Sequence, residues 1–91
     1  MITEDSVIVT SEDLMSADHG GEAVVLDGRS GKYYGLNDVG ARALELAHQP
    51  KSVTEIIDLL LLEYDVDRGQ LTQDLLAFLR SMEAEQLILT A

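Results

Sequence analysis

The stretch that decides the fold is GKYYGLND, residues 31–38. Two adjacent tyrosines followed by Asn37 predict a short strand that passes directly into a helix, because an asparagine side chain can cap a first helical turn. Val39, Ala43 and Leu44 then recur at helical spacing. The sequence therefore predicts a strand-to-helix junction at Asn37.

Two further strands are predicted before this junction. The segment EAVVLD, residues 22–27, is separated from the tyrosines by a glycine-containing connection, which is typical of a β-hairpin over residues 22–36. The segment SVIVT, residues 6–10, is rich in β-branched residues and is the first strand candidate. Residues 11–21 carry acids, glycines and a histidine, and we expect a loop there with room for one helical turn.

Side chains alternate between the two faces of the strand that carries the tyrosines. Tyr34 and Leu36 point to one face, and Tyr33 points to the other. We expect the first face to contact the helices, together with Val24 and Leu26 of the preceding strand.

Three helices follow the strands. The first is predicted over residues 38–48, since Pro50 ends it. The second opens with the capping box of residues 52–55, and Asp67 caps the third, with Gln70 in the position that completes a second capping box. Apolar residues at helical spacing mark the buried faces of the second and third helices: Val53, Ile56, Ile57, Leu60, Leu61 and Tyr64, then Leu71, Leu75, Phe78, Leu79 and Met82.

The order of three strands and then three helices predicts one α+β domain over residues 1–91. A hydrophobic fraction of 46% in 91 residues allows a modest core. Residues 86–90 are either a last helical turn or a short extended tail. The expected architecture is a three-stranded antiparallel sheet followed by three helices.

The charge of the chain weighs against nucleic acid as a partner. Its net charge is −11, and its six Lys and Arg residues are dispersed, whereas DNA binding needs several cations against phosphates. No membrane partner is expected either, because the longest apolar run, residues 75–79, is far below the roughly 20 residues that span a bilayer. The acidic N-terminus lacks the basic region of a secretory signal, so we expect a cytoplasmic protein.

Catalytic, metal and cofactor sites are not indicated. The chain has no cysteine, and His19 and His48 lack the spacing of metal ligands, so both are interpreted as surface residues. Gly20-Gly21 lacks the spacing and the lysine of a phosphate-binding loop. Neighbouring acids such as Asp65 and Asp67 are as well explained by a solvated helix end as by acid–base chemistry. We expect no cofactor, no metal and no enzyme activity.

A hairpin whose last strand passes directly into helices leaves that strand at a possible edge of its sheet. Such an edge can accept a peptide as an added strand. In the alternative interpretation, both tyrosines are core or rim residues and Gly35 only eases the turn into the helix. The residues alone leave the two interpretations open.

The ordered set of motifs is similar to PqqD-like proteins over about residues 5–89. The motifs are, in chain order, VVLD (24–27), YYGLN (33–37), Gly40, LEL (44–46), SVTEII (52–57), EYDV (63–66), DLLAFL (74–79) and QLI (86–88). The resemblance implies a RiPP recognition element, a winged-helix-like domain that binds the leader of a ribosomally synthesised precursor peptide. In that family the leader adds to the third strand and packs into a groove beside the third helix. The implied peptide-binding residues are Lys32, Tyr33, Tyr34, Gly35, Leu36, Leu71, Asp74, Leu75, Phe78 and Met82.

The chain looks most like the free-standing member of lasso peptide pathways, which delivers the leader to a leader-cleaving protease. One alternative is a PQQ-type peptide chaperone for a radical SAM enzyme or another maturation enzyme. A second is a winged-helix DNA-binding regulator, since a fold does not determine a function. Against the regulator, the third helix carries Asp74, Glu83 and Glu85, which would repel phosphates.

Overall fold

The computed structural model of the chain describes residues 1–19 and 22–90. Strands precede and flank three helices along these residues. In chain order the elements are β1 (Val7–Thr10), β2 (Leu14–His19), β3 (Glu22–Asp27), β4 (Tyr33–Leu36), α1 (Asp38–Leu46), β5 (Lys51–Ser52), α2 (Val53–Glu63), α3 (Arg68–Ala84) and β6 (Ile88–Thr90). Among the helices of the described residues, none is both long enough and apolar enough to cross a membrane.

The strands form two antiparallel sheets of three strands each. The hairpin sheet has the order β2-β3-β4, and the terminal sheet has the order β5-β1-β6. The hairpin sheet passes directly from β4 into α1, as the junction at Asn37 predicts. The expected α+β class, with a three-stranded antiparallel sheet followed by three helices, is confirmed.

One strand of the hairpin sheet lies where a loop was expected. Leu14–His19 pairs along its whole length with β3, so the prediction of a loop over these residues is wrong. Gly20 and Gly21, at the end of that expected loop, and the side chain of His19 lie outside the described part of the structure. Pairing with β3 outweighs the weak local strand propensity of this segment, because strand stability depends mainly on cross-strand neighbours.

The first strand candidate, confirmed as β1, belongs to the terminal sheet. It pairs on one side with β5 and on the other with Ile88–Thr90. The chain end up to Thr90 is thus an extended strand, which decides between the two possibilities left open for residues 86–90. Because β1 pairs with β5 and β6, it does not belong to the hairpin sheet, and β2 is the third strand of that sheet.

The face of β3 that contacts the helices also differs from the expected one. Val25 pairs with Tyr34 and is 2% exposed, so these two residues share the helix-facing side. Val24 and Leu26 therefore lie on the opposite face, and the prediction that they face the helices is wrong. A change of register by one residue moves every side chain of a strand to the other face.

The turn between β3 and β4 sets this register. The Asp27 carboxylate accepts hydrogen bonds from the Arg29 amide and the Ser30 hydroxyl, both at 3.0 Å. The Asp27 amide donates to the Lys32 carbonyl at 2.9 Å. Gly31 has a φ of 75°, a conformation that favours glycine. The bond from the Arg29 amide, aided by those from Ser30 and by the Arg29 charge, holds the pKa of Asp27 below its ordinary value.

The predicted caps of the first two helices are confirmed. Asn37 Oδ1 accepts from the Gly40 amide at 2.7 Å. The Ser52 hydroxyl accepts from the Glu55 amide at 3.1 Å, and the Glu55 carboxylate accepts from the Ser52 amide at 3.5 Å, which completes the capping box. Local capping chemistry therefore determines where α1 and α2 begin.

Two helix predictions differ from the structure in detail. Helix α1 ends at Leu46 and not at His48. Asp67 caps α3 by accepting from the Gln70 amide at 2.9 Å, but the Gln70 side chain donates to Asp74 at 2.9 Å, so the predicted second capping box is wrong. A capping box would need the Gln70 side-chain oxygen to accept from the Asp67 amide. The side chain instead extends one turn forward along α3, where its N–H group donates to a charged carboxylate, and such a bond is stronger than one between neutral groups.

The core lies between the helices and both sheets. It includes most of the predicted stripes of α2 and α3, the inner face of α1, and one residue from each of β1, β3 and β6. Leu61, Tyr64 and Phe78 of those stripes are partly buried and pack against it. Its buried apolar residues are Ile2, Ile8, Val25, Ala43, Leu44, Ala47, Val53, Ile56, Ile57, Leu60, Leu71, Leu75, Leu79, Met82, Leu87 and Ile88. Helix α1 contacts both β3 and β4, and so fixes the hairpin sheet over the helices.

Candidate functional site

Strand β4 has a free edge that offers main-chain hydrogen-bonding groups. In an antiparallel ladder, successive residues bond alternately toward and away from the partner strand. Since Lys32 accepts from β3, through the Asp27 amide, the even-numbered residues of β4 bond to β3. The N–H and C=O groups of Tyr33 and Gly35 then point away from β3. Within the described ranges, no strand pairs with this side of β4.

A groove lies beside the end of this free edge. It has a volume of about 500 Å³ and is bounded by the end of β4, the start of α1, and the segment that leads into and forms the first half of α3. Its lining residues are Gly35, Leu36, Asn37, Val39, Gly40, Val66, Asp67, Gln70, Leu71, Asp74, Leu75 and Phe78. Most of these side chains are apolar, and the polar ones belong to Asn37 and to the α3 wall.

One face of α3 forms the longest wall of the groove. The cap residue Asp67 and its groove-lining neighbours recur three and four residues apart, at positions 67, 70, 71, 74, 75 and 78, which places them on one side of a helix. Leu71 and Leu75 are nearly buried and belong also to the core, whereas Phe78 is half-buried. The groove floor is thus continuous with the hydrophobic core.

Gly40 allows α1 to approach α3 at the floor of the groove. A Cβ atom at this position would lie 3.5 Å from Cζ of Phe78 and 3.1 Å from Oδ1 of Asn37. The capping bond from Gly40 to Asn37 and the packing of the Phe78 ring therefore both depend on a small residue here. Any larger side chain at position 40 would fill part of the groove.

Polar contacts join the hairpin sheet to the far end of α3. Arg29 Nη1 donates to Gln86 Oε1 at 2.8 Å, and the Tyr34 hydroxyl donates to Glu85 Oε2 at 3.3 Å. Burial raises the pKa of Tyr34, and the nearby Glu85 carboxylate adds to that effect. These contacts hold β4 and α3 at a set separation, since one partner of each lies on the hairpin and the other follows α3.

The structure brings together most of the peptide-binding residues that were predicted from the sequence. The nominated residues that line the groove are Gly35, Leu36, Leu71, Asp74, Leu75 and Phe78. The other four do not line it. Tyr33 is 69% exposed on the outer face of the hairpin sheet, and Met82 is buried in the core. Lys32 and Tyr34 lie at the other end of β4.

Six groove residues were not nominated from the sequence. They are Asn37, Val39, Gly40, Val66, Asp67 and Gln70. Extending the stripe of α3 back by one turn would have found Asp67 and Gln70, because they continue its spacing. The contribution of α1 has no such signal, since it depends on how α1 packs against α3.

In the described ranges, no cluster of three or more His, Cys, Asp or Glu side chains could hold a metal ion.

A free strand edge beside an apolar groove is the geometry of domains that bind extended peptides by strand addition. The chain belongs to the PqqD family: the family described as coenzyme PQQ synthesis protein D matches residues 22–88. Among curated proteins, none matches the chain in sequence.

Two solved structures share the fold over nearly the whole chain. The complex of TbiB1 with the TbiA(beta) leader peptide has a TM-score of 0.74 and 36% sequence identity, and the match covers 88% of this chain and 93% of that one. Lasso peptide synthetase B1, complexed with the leader peptide, has a TM-score of 0.74 and 28% identity, and the match covers 90% of this chain and 96% of that one. These findings confirm the resemblance to PqqD-like RiPP recognition elements and the expectation of a non-catalytic protein.

Proposed function

We propose that this protein binds the leader segment of a ribosomally synthesised precursor peptide and delivers it to a partner processing enzyme. The observation that carries the proposal is the free edge of β4 beside an apolar groove, in a fold shared with two leader-peptide complexes. The leader would add to β4 as a fourth strand of the hairpin sheet.

The free edge provides the sequence-tolerant part of the binding. Tyr33 and Gly35 each offer one N–H donor and one C=O acceptor to an added strand. Alternate side chains of that strand would point toward the groove, where Leu36 and Phe78 offer apolar contact. Main-chain bonds would supply affinity, and the groove would select side chains.

The proposed binding residues are Tyr33 and Gly35 at the edge, together with the groove residues Leu36, Leu71, Asp74, Leu75 and Phe78. Tyr33 is included for its main chain and for its exposed ring, which would flank an added strand on the outer face. Lys32 and Tyr34 lie at the other end of β4 and Met82 is buried in the core. Their contact with a peptide stays a prediction.

The proposed partner is a leader-cleaving protease of a lasso peptide pathway. Support comes from the two structures, since one is described as lasso peptide synthetase B1 and the other has 36% identity to this chain. A PQQ-type role beside a radical SAM enzyme is the second candidate, favoured by the description of the family itself.

A DNA-binding role has less support. The net charge of −11 predicts negligible binding to duplex DNA at physiological salt. A gel-shift assay checks this expectation, and salt-sensitive binding below micromolar concentration would return the regulator to consideration.

A titration with a labelled TbiA(beta) leader peptide tests leader binding. We expect micromolar or tighter affinity, no binding of a scrambled peptide of the same composition, and no hydrolysis of the peptide. Amide chemical shifts should change most at residues 33–36. If the largest changes fall instead on α2 around residues 56–61, with β4 unaffected, strand addition is wrong.

Delivery requires a separate test. With a candidate leader protease and its precursor peptide, adding this protein should increase the rate of leader cleavage. A radical SAM partner that depends on this protein, with no effect on the protease, would favour the PQQ-type role.

A further inference from the structure

The α3 wall of the groove carries two carboxylates and no cation. Oδ2 of Asp67 accepts from the Gln70 amide, and Oδ1 of Asp74 accepts from the Gln70 side chain, both at 2.9 Å. Neither carboxylate has an ion-pair partner among the residues that the structure describes. Each keeps one oxygen available to a ligand, and both side chains belong to exposed residues.

The cations of the chain are occupied or lie away from the groove. Arg68, next to Asp67, pairs with Asp58 at 2.8 Å. The remaining cations are directed elsewhere: Arg29 to Asp13, Arg42 to Glu63, Lys51 to the Leu46 carbonyl and Arg80 to the Ile2 carbonyl, while Lys32 precedes β4 and does not line the groove. Among the side chains that the structure describes, no basic one therefore neutralises the groove.

Spacing along α3 brings both carboxylates within reach of one ligand group. At 1.5 Å per residue, Asp67 lies about 4.5 Å before Gln70 along the helix axis and Asp74 about 6 Å beyond it. A long cationic side chain lying over Gln70 could contact either carboxylate. Its apolar stem would rest on Leu71, which lies in the same wall.

We propose that the groove selects a leader segment with a Lys or Arg among the apolar side chains that face α3. This inference rests on the proposed leader-binding function and specifies the charge of the leader side chain that contacts the α3 wall. The same two carboxylates and the net charge of the protein disfavour acidic segments. The apolar floor supplies contact area, and the acidic wall selects among peptides that fit it.

The test uses the TbiA(beta) leader peptide as the parent probe. Each position is replaced in turn by Lys and by Glu, and the dissociation constants are measured by fluorescence anisotropy. The protein variants are D67N/D74N and, as a control with the same charge change outside the groove, D5N/E12Q. Asn keeps the N-cap at position 67 and an acceptor for Gln70 at position 74, so the fold should be retained.

At groove-facing positions, wild type should prefer Lys over Glu by about 2- to 30-fold, the combined effect of one exposed attraction and one exposed repulsion. The preference should fall toward one in D67N/D74N, persist in D5N/E12Q, and weaken with added salt. The parent peptide could bind while wild type shows no preference for Lys over Glu, or while D67N/D74N and D5N/E12Q show the same preference. Either result overturns the inference but leaves leader binding intact. If no peptide binds any of the proteins, the proposed function itself fails, and the inference falls with it.

Discussion

Replacing Gly35 by proline isolates the main-chain contribution of the free edge. The Gly35 N–H points away from β3, so its loss removes no hydrogen bond of the hairpin sheet. Proline is tolerated on an edge strand in this situation, and Tyr34 before it is already extended, as a residue before proline prefers. The variant should therefore remain folded, with a melting temperature within a few degrees of that of the wild type.

Leader binding should weaken, because an added strand loses one donor. A main-chain hydrogen bond contributes a net of about 0.5–1.5 kcal/mol, which corresponds to an increase in Kd of about 2- to 13-fold. The proline ring, which projects from the same edge, adds to this loss. Titration calorimetry with the TbiA(beta) leader peptide measures the effect.

Gly35→Ala is the matched control. It keeps the N–H, and its Cβ atom would meet nothing within 4 Å. Its affinity should be close to that of the wild type. Leu36→Pro tests the alternation itself, because the Leu36 N–H faces β3 and its loss should lower the stability of the protein. Equal affinities for Gly35→Pro and Gly35→Ala, with both variants folded, would refute strand addition at this edge.

Three further outcomes are expected. Phe78→Ala should weaken leader binding and cost less than the ~3–5 kcal/mol of a fully buried phenylalanine, because the ring is half-buried. Leu79→Ala, at a buried position outside the groove, should lower stability by about 2–5 kcal/mol and leave the affinity of the folded protein unchanged, and equal binding losses in both variants would contradict the site. Ser52→Ala should cost about 1 kcal/mol in urea unfolding, through loss of the α2 cap, without any change in binding. Because the pKa of Asp27 is lowered from 3.8, the carboxylate stabilises the fold above that pH and loses its contribution as the pH falls below it. The stability difference between the wild type and Asp27→Asn should therefore shrink below pH 3.8, and a constant difference down to pH 2.5 would contradict this role.

Local signals in the sequence determined where the helices begin and which faces they bury. Asn37 and Ser52 cap their helices through side-chain bonds to amides three residues away, so neighbours in the chain are sufficient. The stripes of α2 and α3 follow from helical spacing in the same way. Residues 33–37 also indicated the passage from β4 into α1.

Pairing between distant segments was decided only by the tertiary structure. Leu14–His19 is a strand because β3 pairs with it, and β1 joins β5 and β6, which lie more than 40 residues away in the chain. Whether Val24 or Val25 faces the helices depends on a register that the Asp27 turn sets. Such choices depend on cross-strand contacts, which the propensity of a segment does not contain.

The groove shows the same division. The resemblance of the sequence to PqqD-like proteins implied that Gly35, on the third predicted strand, and Phe78, on the third helix, belong to a peptide-binding site. The tertiary structure added Gly40 of α1, because α1 and α3 meet only after the chain has folded. Single elements and their faces are determined by local chemistry, whereas a cavity between three elements is determined by how they pack.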